Sequence, residues 1–256
     1  MTKSWTRRRH RKENVKGRAA EPSHMFKNCR VVGCKHPARA GTQDGLDTRF
    51  CRSHADHYAR HGSPYKRSYS AAEINPYRRA AVEWLLANKS DRWVANSIQR
   101  VATLYTNAGP HEEAFRLRGL PPRERATKAW ARLRKHDIDP LLVVSVWLAV
   151  EMMVRDDIQG VDTVEFKRVQ AAKVVHRLAS GTHKRWAQGV GGAKELHVYP
   201  ASRGNVLRYI GKDVQGAAEL LYANAKDLPT ANIEKANASA RPTPRRIKVR
   251  RRQRKG

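Results

Sequence analysis

Apolar side chains recur at helical spacing through most of the chain after residue 70. The longest series, in steps of three and four, is Leu207, Ile210, Val214, Ala217, Leu221 and Ala225. Such spacing predicts an amphipathic helix with one face packed on a core. Residues 141–150 are apolar apart from Ser145. Because that run is too short to cross a bilayer, it predicts a buried central helix and no membrane span.

Two short motifs predict where the first helices begin. Asn75 followed by Pro76 is typical of an N-cap and a first helical position, so we expect a helix from Pro76 to residue 88. Ser90 or Asp91 is expected to open the next helix, because apolar residues then share one face as far as Tyr105.

Three further starts are predicted along the chain. A helix is expected over 122–136, after a Gly-Leu-Pro-Pro break. Asp139 before Pro140 predicts the start of the buried helix. Asp162 with Glu165 three residues later resembles a capping box, which predicts another helix.

Positive charge dominates the composition. Lys and Arg total 52 against 23 acidic residues, a formal charge of +29. Residues 1–18 carry +7 and residues 241–256 carry +9, which leaves +13 for the middle. We expect both ends to be disordered arms that contact the phosphates of a nucleic acid. The contacts predicted in the arms are Arg7, Arg8, Arg9, Arg245, Arg246, Arg250, Arg251 and Arg252.

The three cysteines fall within 23 positions, as Cys29-x4-Cys34 and Cys51-x2-His54. Two close pairs of thiolate and imidazole ligands suit tetrahedral Zn²⁺. A spacing of three places Cys51 and His54 on one face of a helical turn. We therefore predict a zinc ion on these four residues, with residues 25–66 folded around it. An odd cysteine count argues against a disulfide framework, so the expected setting is a reducing cytoplasm.

Three other histidines compete with His54 for the fourth ligand position: His36, His57 and His61. The Cys-x2-His spacing favours His54. A catalytic zinc needs an open coordination position, and its reaction needs a base such as Glu, but the nearest acids in the sequence are aspartates. The pattern therefore favours a structural zinc.

The same segment resembles a known module. Cys29-Arg-Val-Val-Gly-Cys34, Phe50-Cys51-Arg-Ser-His54 and Tyr58-Ala-Arg-His61-Gly62-Ser-Pro64 are similar to a short zinc-finger-like module of phage and prophage proteins, often attached to HNH homing endonucleases. The resemblance covers about residues 28–65. It implies a zinc-bound module that helps to grip DNA in a phage or prophage protein. We recognise no family for residues 70–228.

A strongly basic helix is predicted between residues 116 and 136, where eight Lys/Arg accompany a single acid, Glu124. Its cations and its apolar residues fall on two separate faces. The apolar stripe, which would dock on the core, is Ala126, Ala129, Trp130 and Leu133. The other stripe, expected to face outward and contact phosphates, is Arg125, Lys128, Arg132 and Lys135.

The Gly-rich stretch 181–205 is expected to be a loop with one short strand over 195–199. We accordingly predict a mainly α fold, in which a small zinc-binding module precedes an α-helical domain and basic disordered tails flank both. The predicted boundaries are 1–24 for the N-terminal arm, 25–66 for the zinc module, 67–228 for the helical domain and 229–256 for the C-terminal tail.

These patterns favour a zinc-containing nucleic-acid-binding protein without enzymatic activity, with DNA as the preferred polymer. A larger protein assembly is a further expected partner. The expected location is the cytoplasm, associated with the nucleoid, or the nucleus in a eukaryote. One alternative is an HNH-type nuclease, for which His183 and His197 beside the Gly-rich stretch are the residues to inspect. Another is a structural RNA-binding protein of a ribonucleoprotein.

Overall fold

The computed structural model describes residues 10, 12–13, 28–38, 40–42, 45–158, 161–188, 192–200, 204–225 and 228–229. The predicted arm contacts Arg7, Arg8, Arg9, Arg245, Arg246, Arg250, Arg251 and Arg252 lie outside the described residues. Within the described ranges the chain forms seven α-helices and two antiparallel hairpins, which confirms the mainly α prediction. The first hairpin and helix are β1 (Ala40–Thr42), β2 (Gly45–Asp47) and α1 (Arg52–His61). The remaining elements are α2 (Ala71–Ala87), α3 (Arg92–Asn107), a 3-10 turn (Ala114–Leu117), α4 (Pro122–Lys135), α5 (Pro140–Asp156), α6 (Val164–Leu178), β3 (Thr182–Gln188), β4 (Gly192–Val198) and α7 (Asn205–Asn224).

Helix α5 is the centre of the bundle. It buries nearly every side chain from Val143 to Val154, and helices α2, α3, α6 and α7 pack around it. Helix α4 packs on α3 and α7 at the edge of this core. Burial of each large aliphatic side chain in such a core contributes roughly 1.5–3 kcal/mol. No helix among the described residues has the length and apolar character of a membrane span.

Two predicted helix starts are wrong in position. Helix α2 begins at Ala71, where Ser70 and Glu73 form a reciprocal capping box, and Pro76 lies buried inside the helix. The capping box and the burial of this face offset the backbone hydrogen bond that proline cannot donate. Helix α6 is capped by Thr163, whose hydroxyl accepts from the Phe166 N–H at 3.3 Å.

Other predicted starts are confirmed. Asp91 caps α3 by accepting from the backbone N–H groups of Trp93 and Val94. Asp139 caps α5 by accepting from the Leu141 N–H at 2.8 Å. Asp162, predicted as a cap, instead forms an ion pair with Lys167 at 2.6 Å.

The stretch predicted as a loop over 181–205 contains a β-hairpin. Strands β3 and β4 pair in a register that places His183 opposite His197. The expected strand at 195–199 overlaps β4, but β3 was not predicted. Its residues Lys184, Arg185 and Trp186 are all exposed, so the strand has no alternating apolar face for a sequence pattern to reveal.

The described part of the Cys/His segment (residues 25–66) is fixed to the bundle through α1. Gln170 of α6 is almost fully buried. Its side-chain amide donates to the His61 carbonyl at 2.9 Å and accepts from the Tyr69 N–H at 3.2 Å. Gly62, the left-handed C-cap of α1, lies directly against the backbone of Glu165 and Phe166. These contacts orient the cysteine cluster relative to α6.

Candidate metal centre and cationic cleft

The four predicted ligands come together in one cluster. The three thiols of Cys29, Cys34 and Cys51 and the imidazole of His54 place their ligand atoms within 4.8 Å of one another. The Cys34 and Cys51 sulfurs are 3.9 Å apart, and His54 Nδ1 lies 3.3 Å from the Cys51 sulfur and 3.4 Å from that of Cys29. A tetrahedral Zn²⁺ site with ordinary bond lengths has edges of about 3.8 Å between sulfurs and about 3.5 Å between sulfur and nitrogen. The donor set and its spacing therefore fit a zinc ion.

Local backbone structure explains how the sequence forms this cluster. A tight turn carries Cys29 and Cys34, closed by a hydrogen bond from the Cys34 N–H to the Val31 carbonyl at 3.0 Å. Gly33 permits the turn because its φ is +79°. Cys51 is the N-cap of α1 and His54 lies in the first helical turn, so both point to the same side, as their spacing predicts.

Backbone N–H groups are directed at the sulfurs. Burial raises the pKa of the Cys29 thiol, but hydrogen bonds from the backbone of Cys51 and Val31 and from the thiols of Cys34 and Cys51 together leave the pKa lowered. The backbone N–H of His36 acts in the same direction on Cys34. Burial and the neighbouring thiols nevertheless leave the pKa of Cys34 raised. A cation would relieve this crowding of thiols, since metal binding stabilises thiolates.

The competing histidines have other partners. His57 Nδ1 donates to the Ser63 carbonyl at 2.8 Å. His61 Nδ1 accepts from the Ser68 N–H at 3.0 Å. His36 is exposed, and its carbonyl accepts from the Cys29 N–H at 2.8 Å. The structure thus groups His54, and none of these three, with the cysteines. With four protein donors a tetrahedral site is closed, which is the arrangement of a structural metal.

The basic helix, α4, has the predicted apolar face but differs on the other side. Ala126, Ala129, Trp130 and Leu133 are buried as expected. Arg132 was expected to face outward, and that prediction is wrong, because its side chain is 5% exposed. Its guanidinium donates to the carbonyl of His176 at 2.6 Å. That carbonyl lies in the last turn of α6, where helical carbonyls lack partners in the helix, so the bond draws the arginine inward.

The rest of the stripe turns towards a recess. Arg125 and Lys128 line it together with Arg132, Glu112 and His176. We call this recess the cationic cleft. Other parts of its wall are Ala114, Leu117, Ala129, Pro200 and Val206. Lys135, at the end of the stripe, lies outside the cleft with its side chain half exposed. The predicted stripe is therefore a cleft wall with one exposed lysine at its end.

Sequence reasoning missed a second group of exposed cations, on the hairpin of β3 and β4. The side chains of Lys184 and Arg185 are 48% and 73% exposed, and Trp186, the next residue of β3, is 44% exposed. Thr182 anchors the hairpin, since its hydroxyl accepts from the Ala114 N–H at 2.9 Å and donates to Glu113 at 2.8 Å. The base of the hairpin thus adjoins the 3-10 turn that borders the cationic cleft.

The two histidines singled out for a nuclease are brought together by this hairpin. The Nδ1 atoms of His183 and His197 are 2.7 Å apart, and His197 Nε2 lies 3.2 Å from a carboxylate oxygen of Glu195. Across the described residues, the Cys/His cluster alone gathers three or more possible ligand side chains at metal-binding distance.

No protein family, curated protein or solved structure matches this chain.

Proposed function

We propose that this is a zinc-containing, non-enzymatic nucleic-acid-binding protein of a phage or prophage, with DNA as the favoured polymer. The observation that carries the proposal is the formal charge of +29, of which +16 lies in residues 1–18 and 241–256. A chain with this charge attracts polyanions strongly, and nucleic acid is the commonest of them.

The zinc part of the proposal rests on the donor set and its geometry. Three thiols and one imidazole in a closed tetrahedral arrangement are typical of structural zinc. Such an ion would fix the turn of Cys29 and Cys34 to the start of α1. Because α1 contacts α6 and α7, the ion would also hold the Cys/His segment on the bundle.

The nucleic-acid part is supported by where the exposed cations lie. The hairpin offers the exposed ring of Trp186 together with Lys184 and Arg185, which pair with Glu113 at 3.7 Å and Glu195 at 3.4 Å, respectively. Cations give salt-dependent phosphate contacts, and an exposed aromatic ring can stack on a base. The arms would add phosphate contacts that carry little sequence information.

The test is a binding comparison between matched duplex DNA, single-stranded DNA and RNA, with Mg²⁺ or Mn²⁺ present. The polymers are then run on a denaturing gel. We expect preferential binding to duplex DNA and intact strands. Binding to none of the three at low salt would refute the proposal, and a preference for RNA would favour the ribonucleoprotein alternative.

One observation favours the nuclease alternative, namely the close pair of His183 and His197 at 2.7 Å. An HNH enzyme uses a histidine as general base and further residues on a metal. Metal-dependent cleavage in the same gel would favour this alternative. Its loss in His183→Ala, with binding retained, would assign the activity to this hairpin and exclude a contaminant.

A further inference from the structure

A buried arginine without a counter-ion lines the cationic cleft. The side chain of Arg132 is 5% exposed and its Nε has no hydrogen-bond partner. Within the described residues no carboxylate pairs with it, and its one hydrogen bond is to the neutral carbonyl of His176. Buried cations in proteins are normally paired, because an unpaired charge in a low-dielectric site is costly.

Other cations converge on the same cleft. Arg125 and Lys128 line it two turns and one turn, respectively, before Arg132 on α4. The single acid in the wall, Glu112, lies 3.9 Å from Lys128 and so neutralises only part of the charge. The Lys128 ammonium also donates to the Pro110 carbonyl at 3.1 Å, which holds it at the cleft edge.

The pKa of His176, another residue of the cleft wall, is lowered in part by the same positive charges. Burial, followed by the charges of Arg132, Arg125 and Arg177, lowers the pKa of His176 to about 3. The ring is therefore neutral at physiological pH and adds no charge to the wall. Arg132 and Lys128 set against the single carboxylate of Glu112 leave a net positive charge in the wall, and the buried Nε–H of Arg132 has no hydrogen-bond partner.

We propose that the cationic cleft binds one phosphate group, which in the complex belongs to the bound nucleic acid. Guanidinium groups suit phosphate because their N–H donors match its oxygens. The phosphate would accept from Arg132 and from the Lys128 ammonium, and Arg125 would add charge compensation. The link to nucleic acid rests on the proposed function, whereas the phosphate site itself does not.

The first experiment uses inorganic phosphate and the full-length chain. Phosphate binding is measured by calorimetry and by the rise in unfolding temperature, against chloride and acetate at equal ionic strength. We expect phosphate to bind and to raise the midpoint above either control salt. Lys128→Gln should weaken phosphate binding roughly tenfold, the loss typical of one charge-assisted hydrogen bond.

A matched control variant distinguishes the effect of the cleft residues from the effect of losing any one positive charge. Arg123→Gln removes one cation from the exposed face of the same helix, and should leave phosphate binding unchanged. Arg125→Gln is a second cleft variant in case Lys128→Gln folds poorly. Equal stabilisation by acetate, or equal losses in the cleft variants and Arg123→Gln, would overturn the site.

The second experiment measures duplex DNA binding by the same variants over a salt series. Lys128→Gln should lower the magnitude of the salt slope by roughly one, as expected for one lost phosphate contact. An unchanged DNA affinity despite lost phosphate binding would overturn the link to nucleic acid. If the unaltered protein binds no nucleic acid at all, the proposed function fails, and the phosphate experiment alone decides the cleft.

Discussion

Replacement of Gly62 by alanine would test how closely the Cys/His segment is fixed to the helical bundle. Gly62 has a φ of +78°, in the left-handed region. A Cβ added there would lie 2.8 Å from both the Glu165 carbonyl oxygen and the Phe166 Cα. Both contacts are with backbone, which cannot rotate away as a side chain can. The substitution must therefore strain α1 or move it off α6.

Two costs combine in this variant. Left-handed backbone costs a non-glycine residue roughly 1–2 kcal/mol. Overpacking against a fixed neighbour typically costs a further 1–3 kcal/mol or so. We expect Gly62→Ala to lower the free energy of unfolding by about 2–5 kcal/mol.

Gly109 supplies the matched control, because its φ is +68° and a Cβ there would meet nothing within 4 Å. Gly109→Ala should show only the backbone cost of about 1–2 kcal/mol. Urea unfolding of the zinc-loaded, full-length proteins, followed by circular dichroism, measures both. Equal losses in the two variants would mean that the segment does not pack on α6 as described.

Three other predictions follow from the site and its charges. Cys34→Ser should release zinc and unfold residues 25–66, and the zinc content per chain measures this. Val32→Ser, at a 99% exposed position of the same turn, should keep its zinc. An unchanged zinc content in Cys34→Ser would refute the ligand set. The pKa of His176 is lowered from 6.5 to about 3 in the native state, so the native state binds fewer protons and stability is lost as pH falls from 6.5 towards 3, by up to about 1.4 kcal/mol per pH unit. Urea titrations of His176→Gln should therefore give a flatter pH dependence than the unaltered protein, and parallel curves would contradict this. Deletion of residues 241–256, which carry +9, should weaken nucleic-acid binding and flatten its salt dependence, and an unchanged salt slope would remove them from the interface.

The helices could be predicted where one periodic apolar face met a clear cap. Helix α7 has its buried residues in the predicted series from Leu207 to Leu221, because burial itself sets the three-and-four spacing. Helix α3 was placed correctly for the same reason, with Asp91 as its cap. The start of α2 was missed because two caps competed. The Ser70 capping box satisfies more backbone groups than Asn75 would, and tertiary packing accommodates Pro76.

The metal cluster could be predicted because ligand spacing is local. Cys29 and Cys34 share one turn, and Cys51 and His54 share another. The Cys-x2-His spacing favoured His54 over His61, and the fold adds the reason: the His61 ring contacts Ser68 and Lys173 of α6 instead.

The cationic cleft could not be read from the sequence. A helical projection separates the charged stripe of α4 from its apolar stripe, but it does not show which parts of the fold pack against the charged stripe. The end of α6 covers Arg132 through the His176 carbonyl, a contact between residues 44 apart in sequence. The hairpin was missed for a related reason, since exposed strands such as β3 lack an apolar alternation.

The most direct test of the account is the salt dependence of duplex DNA binding by the intact, zinc-loaded chain. Each neutralised phosphate adds about 0.9 to the slope of log affinity against log salt. With a formal charge of +29, we predict at least about six phosphate contacts. The plot of log affinity against log salt should therefore have a slope of about −5 or steeper. A slope near zero, or no binding at low salt, would contradict the claim that this protein binds nucleic acid.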